Sequence, residues 1–126
     1  MVIKVPKVVH FEVNADDPLR AKKFYEETFN WKIEKWEGPM EYWTIDAGEE
    51  DEEGISGGLQ KRELPEDQIF NYIKVSSVDE ISKKIEKNGG TLASPKIAVP
   101  GVGHFYMFTD TEGNKLGIMQ EEDSAE

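Results

Sequence analysis

The chain of 126 residues contains no cysteine. This absence excludes disulfides, thiolate metal ligands and a cysteine nucleophile, and it is compatible with a reducing compartment. The N-terminal residues MVIKVPKVVHF include no long apolar run, so we expect neither a signal peptide nor a membrane span. We therefore predict a cytoplasmic protein the size of one ordinary domain.

Positive charge is also scarce. The chain has 15 Lys and Arg against 26 Asp and Glu, which gives a net charge of −11. Such a surface repels a phosphate backbone, so we do not expect nucleic acid as a partner. Part of the negative charge lies in the C-terminal segment QEEDSAE, and we predict that residues 122–126 form a flexible acidic tail.

The stretch VVHFEV, residues 8–13, alternates in the manner of a half-buried strand. The alternation places polar side chains on one face: His10, Glu12 and Asn14. The opposite face carries apolar side chains: Val9, Phe11 and Val13. The polar face either meets water or lines a cavity that uses a histidine and a carboxylate.

A helix and three strands follow this first strand. Asp17 and Pro18 fit the N-cap and the first turn of a helix, because proline gives up a hydrogen bond that this position never makes. Asn30 is suited to ending the helix, since asparagine tolerates the left-handed conformation. The three strand-like runs are WKIEKW, EYWTIDA and ISGGLQK.

The second half of the chain repeats this order. IFNYIKV is strand-like, SVDE is a capping box that starts a helix, and NGG ends that helix. Three strands are then predicted in TLASPKIAV, HFYMFTD and NKLGIMQ. A shift of 62 residues places His10 on Tyr72 and Val13 on Val75.

We predict an α+β fold in which a single domain, residues 7–121, consists of two βαβββ modules. The modules are residues 7–62 and 68–121, and each has one helix to cover one face of its sheet. Two such sheets laid together would form a curved mixed sheet around a concave cavity. The polar face of the first strand would line that cavity.

Three segments resemble the vicinal oxygen chelate superfamily, which includes glyoxalase I, bleomycin resistance proteins and extradiol dioxygenases. They are VVHFEVNADDPLRAKKFYEETFNWKI, NGGTL and VPGVGHFYMFTDTEGNKLGIMQ. The helix start D-P-x-x-A-x-x-F-Y and the turn D-x-x-G-N are its more specific motifs, and the similarity covers residues 7–121. The chain is most similar to the stand-alone glyoxalase-related proteins. The resemblance implies paired βαβββ modules, a sheet-lined cavity and a homodimer.

The resemblance also implies four positions for metal ligands, two in each module. His10 falls on the first, and Tyr72 falls on the position of the second histidine. A neutral phenol with a pKa of about 10 is a poor ligand near neutral pH. The two carboxylate positions fall on or beside Gly57 and Gly117. We therefore predict no cofactor and disfavour a divalent metal; if one binds, its ligands would be His10 with Glu12 or His104.

The remaining expectations concern a small-molecule site. His10 and Glu12 are the candidate catalytic residues, and Tyr42, Tyr72 and His104 are the candidate ligand-binding residues. The competing interpretation of each is structural. His10 would be hydrogen-bonded to neighbouring groups, Glu12 would lie on a solvated strand face, and the tyrosines would pack in the core with their hydroxyls at a polar edge. His104 follows two glycines and could equally lie on the surface at a strand start.

Two hypotheses for the function follow from these residues. The first is a glyoxalase-related lyase or isomerase, or a dioxygenase-like enzyme, in which His10 or Glu12 abstracts a proton next to a carbonyl and tyrosine hydroxyls stabilise the enolate. The second is a non-catalytic protein that sequesters a small ligand, as bleomycin resistance proteins do. Fold analogy does not choose between them, because one architecture hosts many functions.

Overall fold

The computed structural model describes residues 5–49 and 51–121. The predicted acidic tail, residues 122–126, lies outside the described residues. The helices and strands of the first half are β1 (Lys7–Ala15), α1 (Pro18–Phe29), β2 (Lys32–Lys35), β3 (Trp43–Asp46) and β4 (Gly57–Lys61). Those of the second half are β5 (Ile69–Lys74), α2 (Val78–Lys87), β6 (Thr91–Leu92), β7 (Ile97–Val99), β8 (Gly103–Thr109) and β9 (Lys115–Glu121).

The chain divides into two compact units. The first unit comprises residues 10–70, and the described residues of the second are 5–9 and 71–121. The strand order of the first unit is β2-β3-β4-β1, with β1 parallel to β4 and the other pairs antiparallel. The order of the second is β5-β9-β8-β6, with β5 parallel to β9. Each unit is therefore a helix on a mixed sheet, and the predicted α+β class with two βαβββ modules is confirmed.

The first unit builds its core between α1 and one face of its sheet. The Asp17 side chain accepts a hydrogen bond from Arg20 N at 3.2 Å, and Asn30 ends the helix at a φ of 60°. Both predicted helix ends are thus confirmed. Apolar residues of the sheet pack against Ala21 and Tyr25 of the helix: Val13, Ala15, Ile33, Trp43, Ile45 and Leu59.

The second unit has a similar core beneath α2. The Ser77 hydroxyl accepts from Glu80 N at 3.2 Å, as expected for an N-cap. Ile81 and Ile85 pack from the helix onto the sheet, and the buried centre of the cluster is Val75, Val78, Phe108 and Ile118. Within the described residues, neither helix is long and apolar enough to cross a membrane.

The edge strand of the second unit differs from the prediction. The run TLASPKIAV was expected to form one strand, but it forms two, β6 and β7, which both pair with β8. Pro95 lies in the gap and has no N–H to give to a ladder. Ser94 fills part of the gap, because its hydroxyl accepts a hydrogen bond from Met107 N at 2.9 Å. The interruption is therefore a bend in one edge strand.

Candidate functional site

The polar face of β1 is not open to water. Glu12 is 7% exposed and Asn14 is 5% exposed, although both are polar. Their neighbour Val13 points the other way, into the core beneath α1. A carboxylate loses much of its hydration when it is buried, so it is normally retained only where partners satisfy it.

Tyr42 supplies such a partner and links Glu12 to His10. The Tyr42 hydroxyl lies 2.9 Å from His10 Nε2 and also forms a hydrogen bond with the Glu12 carboxylate. An ionised carboxylate can only accept, so the single hydroxyl proton goes to Glu12. The hydroxyl oxygen then accepts the N–H of His10 Nε2. The three side chains form one hydrogen-bonded row, His10–Tyr42–Glu12.

Burial sets the charges in this row. It lowers the pKa of His10 below its ordinary value, so the imidazole is neutral at neutral pH. Burial also raises the pKa of Tyr42 far above its ordinary value, and the charge of Glu12 and the hydrogen bond to it act in the same direction. The phenol therefore stays protonated. A neutral imidazole and a protonated phenol beside a buried carboxylate are suited to proton transfer.

The segment before β3 holds Tyr42 in place. Trp36 N donates to the Tyr42 carbonyl oxygen at 2.8 Å, and the Trp36 ring meets the Tyr42 ring edge-on at 6.1 Å. A Cβ at Gly38 would lie 2.1 Å from the Trp36 ring, so this turn needs a glycine for the indole to fit. The turn in WEGPMEYW thus positions Tyr42 through this hydrogen bond and this ring contact.

Further along β1, a second hydrogen-bonded group continues the polar face. Gln60 Nε2 donates to Asn14 Oδ1 at 2.8 Å, and Asn14 Nδ2 donates to Gln68 O at 2.7 Å. The sequence analysis did not propose Gln60 as a site residue. Its position could have been found by pairing the parallel strands β1 and β4, which sets Gln60 opposite Asn14.

Tyr72 lies in the second unit and is 7% exposed. Its ring meets Phe105 edge-on at 5.9 Å. The register of β5 and β9 places it opposite Gly117, where a Cβ would lie 2.4 Å from the ring. Tyr72 therefore occupies the space that the missing side chain of Gly117 leaves.

His104 lies on the other face of its sheet. It pairs with Gln120, and strand alternation places it on the side of Tyr106, which packs against the core beneath α2. Phe105, the contact of Tyr72, points to the opposite side. His104 Nδ1 is buried and has no hydrogen-bond partner among the described residues. His104 and the Tyr72 contact Phe105 thus lie on opposite faces of this sheet, and the ligand-binding roles of His104 and Tyr72 stay predictions.

The residues at the family's ligand positions do not fit a metal centre. Gly57 pairs with Phe11, and a Cβ there would lie 2.2 Å from the Phe11 carbonyl oxygen, on the side of the core. The Tyr72 ring covers Gly117, and His10 Nε2 is already hydrogen-bonded to the Tyr42 hydroxyl. Among the described residues, no group of three or more histidine, aspartate or glutamate side chains is placed to hold a metal ion. A stable site needs at least three well-placed ligands.

Two open clefts of the first unit lie away from this row, around the C-terminal end of β1. The larger has a volume of about 400 Å³ and runs between the start of α1 and Arg62. The smaller, of about 290 Å³, adjoins it at Asp16 and Arg62. Arg62 Nε donates to Asp16 Oδ1 at 2.9 Å. The guanidinium on the wall that the two clefts share is therefore already paired with a carboxylate. None of the three residues of the His10–Tyr42–Glu12 row lines either cleft.

The fold agrees with a family assignment. The chain belongs to the Glyoxalase/Bleomycin resistance protein/Dioxygenase superfamily, whose family model matches residues 7–118. A glyoxylase-like domain-containing protein from Didymella fabae is 33% identical over 114 residues, which cover 85% of this chain and 88% of that protein. The resemblance seen in the sequence is thus confirmed.

Solved structures share the architecture at low sequence identity. Methylmalonyl-CoA epimerase from Mycobacterium tuberculosis matches with a TM-score of 0.69 and 10% identity, covering 96% of this chain and 93% of that one. A methylmalonyl-CoA epimerase in complex with methylmalonyl-CoA and NH4+ matches with a TM-score of 0.68 and 12% identity, covering 97% and 99%. A hypothetical protein from Bacillus halodurans C-125 matches with a TM-score of 0.70 and 15% identity, covering 98% and 99%. At these identities the likeness establishes the fold alone.

Proposed function

We propose that this protein is a metal-independent enzyme of the isomerase or lyase type that moves a proton on the carbon next to a carbonyl. The observation that carries the proposal is the hydrogen-bonded row in which Tyr42 connects the buried Glu12 carboxylate to His10. Glu12 acts as the base. Tyr42 and His10 act as hydrogen-bond donors.

The reaction follows from which groups of the row hold a proton and which can accept one. Glu12 takes a proton from the carbon next to the carbonyl, so the C–H bond breaks and an O–H bond forms on the carboxyl group. The electron pair of the C–H bond forms a carbon–carbon double bond, and the π electrons of the carbonyl move to its oxygen, which gives an enolate. Once Glu12 is neutral it no longer needs the Tyr42 proton, and the hydroxyl can donate to the enolate oxygen instead. Return of the proton to another face or a neighbouring carbon completes an isomerisation.

Both donors are in the required state at neutral pH. Tyr42 stays protonated because burial and Glu12 raise its pKa, and His10 stays neutral because burial lowers its pKa. A neutral Nε2–H hydrogen-bonds the Tyr42 oxygen without adding a full positive charge. General acid–base groups positioned in this way contribute about 10²- to 10⁴-fold to a rate.

The structural neighbours support the reaction class but not the same ligand. Two of them are named methylmalonyl-CoA epimerase, and an epimerase inverts a carbon centre. A CoA ester carries several phosphate charges, and this chain has a net charge of −11. We therefore propose a small carbonyl compound of low charge as the substrate.

The experiment is hydrogen–deuterium exchange at carbon. The protein is incubated in D2O with hydroxyacetone, pyruvate or the N-acetylcysteamine thioester of propionate, and deuterium incorporation is followed by NMR. The expected result is exchange above the protein-free rate for at least one probe, lost in Glu12→Gln. Glu34→Gln is the matched control, because Glu34 is an exposed carboxylate of the same unit. Binding of a probe without exchange would support the sequestering protein instead.

We also propose that the protein is a homodimer in the cytoplasm. Phe24 and Phe29 of α1 are 57% and 55% exposed, and both contact Tyr25, so aromatic surface is available to a second copy. The absence of cysteine is compatible with a reducing compartment.

A further inference from the structure

We propose that Gly58 is a positioning residue of the site, because its missing side chain leaves the space in which the Tyr42 hydroxyl meets His10 and Glu12. The effect on the reaction rests on the proposed function. The effect on Tyr42 itself does not.

The register places Gly58 at the centre of the polar face. It lies opposite Glu12 on the parallel strand β1 and opposite Thr44 on the antiparallel strand β3. A Cβ built on Gly58 would lie 1.6 Å from the Tyr42 hydroxyl oxygen and 2.1 Å from Cζ of the same ring. Both distances are far shorter than a van der Waals contact, so Tyr42 and a side chain at position 58 cannot share this space.

The backbone of Gly58 does not itself require glycine. Its φ is outside the left-handed region, and the three atoms nearest to the hypothetical Cβ all belong to the Tyr42 side chain. Neighbouring Gly57 is different, since a Cβ there would strike the backbone oxygen of Phe11 at 2.2 Å. Gly57 therefore serves the packing of the strands, whereas Gly58 serves the placement of Tyr42.

Alanine at position 58 would force the tyrosine ring away from the row. Glu12 and His10 would then lose the hydroxyl that joins them. Tyr42 would lose both causes that raise its pKa, burial and the contact with Glu12. The pKa of this phenol should fall toward the ordinary value of about 10.

The test compares Gly58→Ala with the native protein and with Gly58→Ala/Tyr42→Phe. Tyrosine ionisation is followed by ultraviolet absorbance between pH 9 and 11.5, with circular dichroism as the check on folding. The chain has four tyrosines. We expect one more tyrosine to ionise in Gly58→Ala than in the native protein. The increment should be absent from Gly58→Ala/Tyr42→Phe, which identifies Tyr42 as its source.

Activity provides the second measurement. Gly58→Ala should lose exchange activity by about the same factor as Tyr42→Phe, about 10²-fold for an acid–base group. The double variant should lose no more than either single one, because both changes remove the same interaction. An altered titration with unchanged exchange would support Gly58 as the positioning residue and overturn the proposed function. An unaltered titration in a folded Gly58→Ala protein would overturn the inference.

A variant that fails to fold is also informative. If Gly58→Ala is unfolded, Gly58→Ala/Tyr42→Ala removes the ring that the new methyl group meets. Recovery of the fold in this double variant would show that Tyr42 alone excludes a side chain at position 58. Failure to recover would overturn the inference, because some other contact would then require the glycine.

Discussion

His10 Nε2 and the Tyr42 hydroxyl lie 2.9 Å apart, although the two residues are 32 positions apart in the chain. The pairing of three strands, β1, β4 and β3, brings them together. Gly58 of β4 lies between Glu12 of β1 and Thr44 of β3, and Tyr42 reaches across it from the start of β3. The His10–Tyr42–Glu12 row therefore depends on how the strands pair and not on a local sequence motif.

Replacing Tyr42 by Phe should cost stability as well as activity. The change keeps the ring but leaves the buried Glu12 carboxylate without one hydrogen bond, which costs about 1–3 kcal/mol. Urea unfolding followed by circular dichroism measures the loss. Tyr106→Phe is the matched control, because its hydroxyl makes a long exposed contact to Asp79 at 3.4 Å. Equal losses in both variants would contradict a special role for the Tyr42 hydroxyl.

The stability of the protein should fall as the pH is lowered from 7.5 to 5. His10 has a lowered pKa in the folded state, so below its ordinary value of 6.5 the unfolded chain takes up a proton before the native protein does. Proton binding to the unfolded state shifts the equilibrium toward unfolding. The melting temperature across this range measures the effect, and His10→Gln should flatten the curve.

The carboxylates of Asp79 and Asp110 act in a separate range of pH. Hydrogen bonds to Lys96 and to Asn114 lower the pKa of Asp79 and of Asp110 below 3.8, so their contributions are lost only in stronger acid. A slope between pH 7.5 and 5 that persists unchanged in His10→Gln would show that another group titrates there.

Much of the fold could be predicted from the sequence because its signals are local. The alternation in VVHFEV separates the buried polar face from the core face, and Asp17 and Asn30 mark the ends of α1 by their own chemistry. The repeat of element order predicted the second unit. The split at Pro95 was missed because the apolar residues on either side continue one pattern.

The site was harder to predict because it depends on strand register. Gly57 and Gly58 are adjacent and identical in type, yet one faces the Phe11 side and the other faces Tyr42. In HFYMF both faces of the strand carry apolar side chains, so alternation could not assign a face to His104 and the register with β9 was needed. Gln60 was missed because its partner Asn14 is 46 residues away, and only the register of the two strands brings them together.

Substitution on the two faces of the first sheet should have opposite consequences. Leu59 is 0% exposed in the core, and Leu59→Ala should cost about 2–5 kcal/mol. His10→Ala removes little apolar packing, so it should reduce exchange activity more than it reduces stability. Urea unfolding and the exchange assay on both variants make the comparison. A loss of stability in His10→Ala as large as that in Leu59→Ala would identify His10 as a structural residue.

Light scattering should give twice the mass of the chain at micromolar concentration if the homodimer forms. Exposed Phe24 and Phe29 are the candidate contact side chains, and Phe24→Ser/Phe29→Ser should weaken association. Val8→Ser is a control, because it changes an exposed apolar residue elsewhere on the chain. A monomer at every concentration tested would remove this proposal.

Dialysis against a chelator should leave the melting temperature and the exchange activity unchanged. The ligand positions implied by the family hold one imidazole, already hydrogen-bonded to Tyr42, and the two glycines offer no side-chain donor atoms. A bound metal would stabilise the native state by mass action, so its removal would lower the melting temperature.

The protein is purified without a histidine tag, and metal content is measured before and after dialysis. A stoichiometric metal whose removal lowers the melting temperature, and whose return restores it, would contradict the metal-independent mechanism. Loss of that metal in His10→Gln would then place the ion at this row.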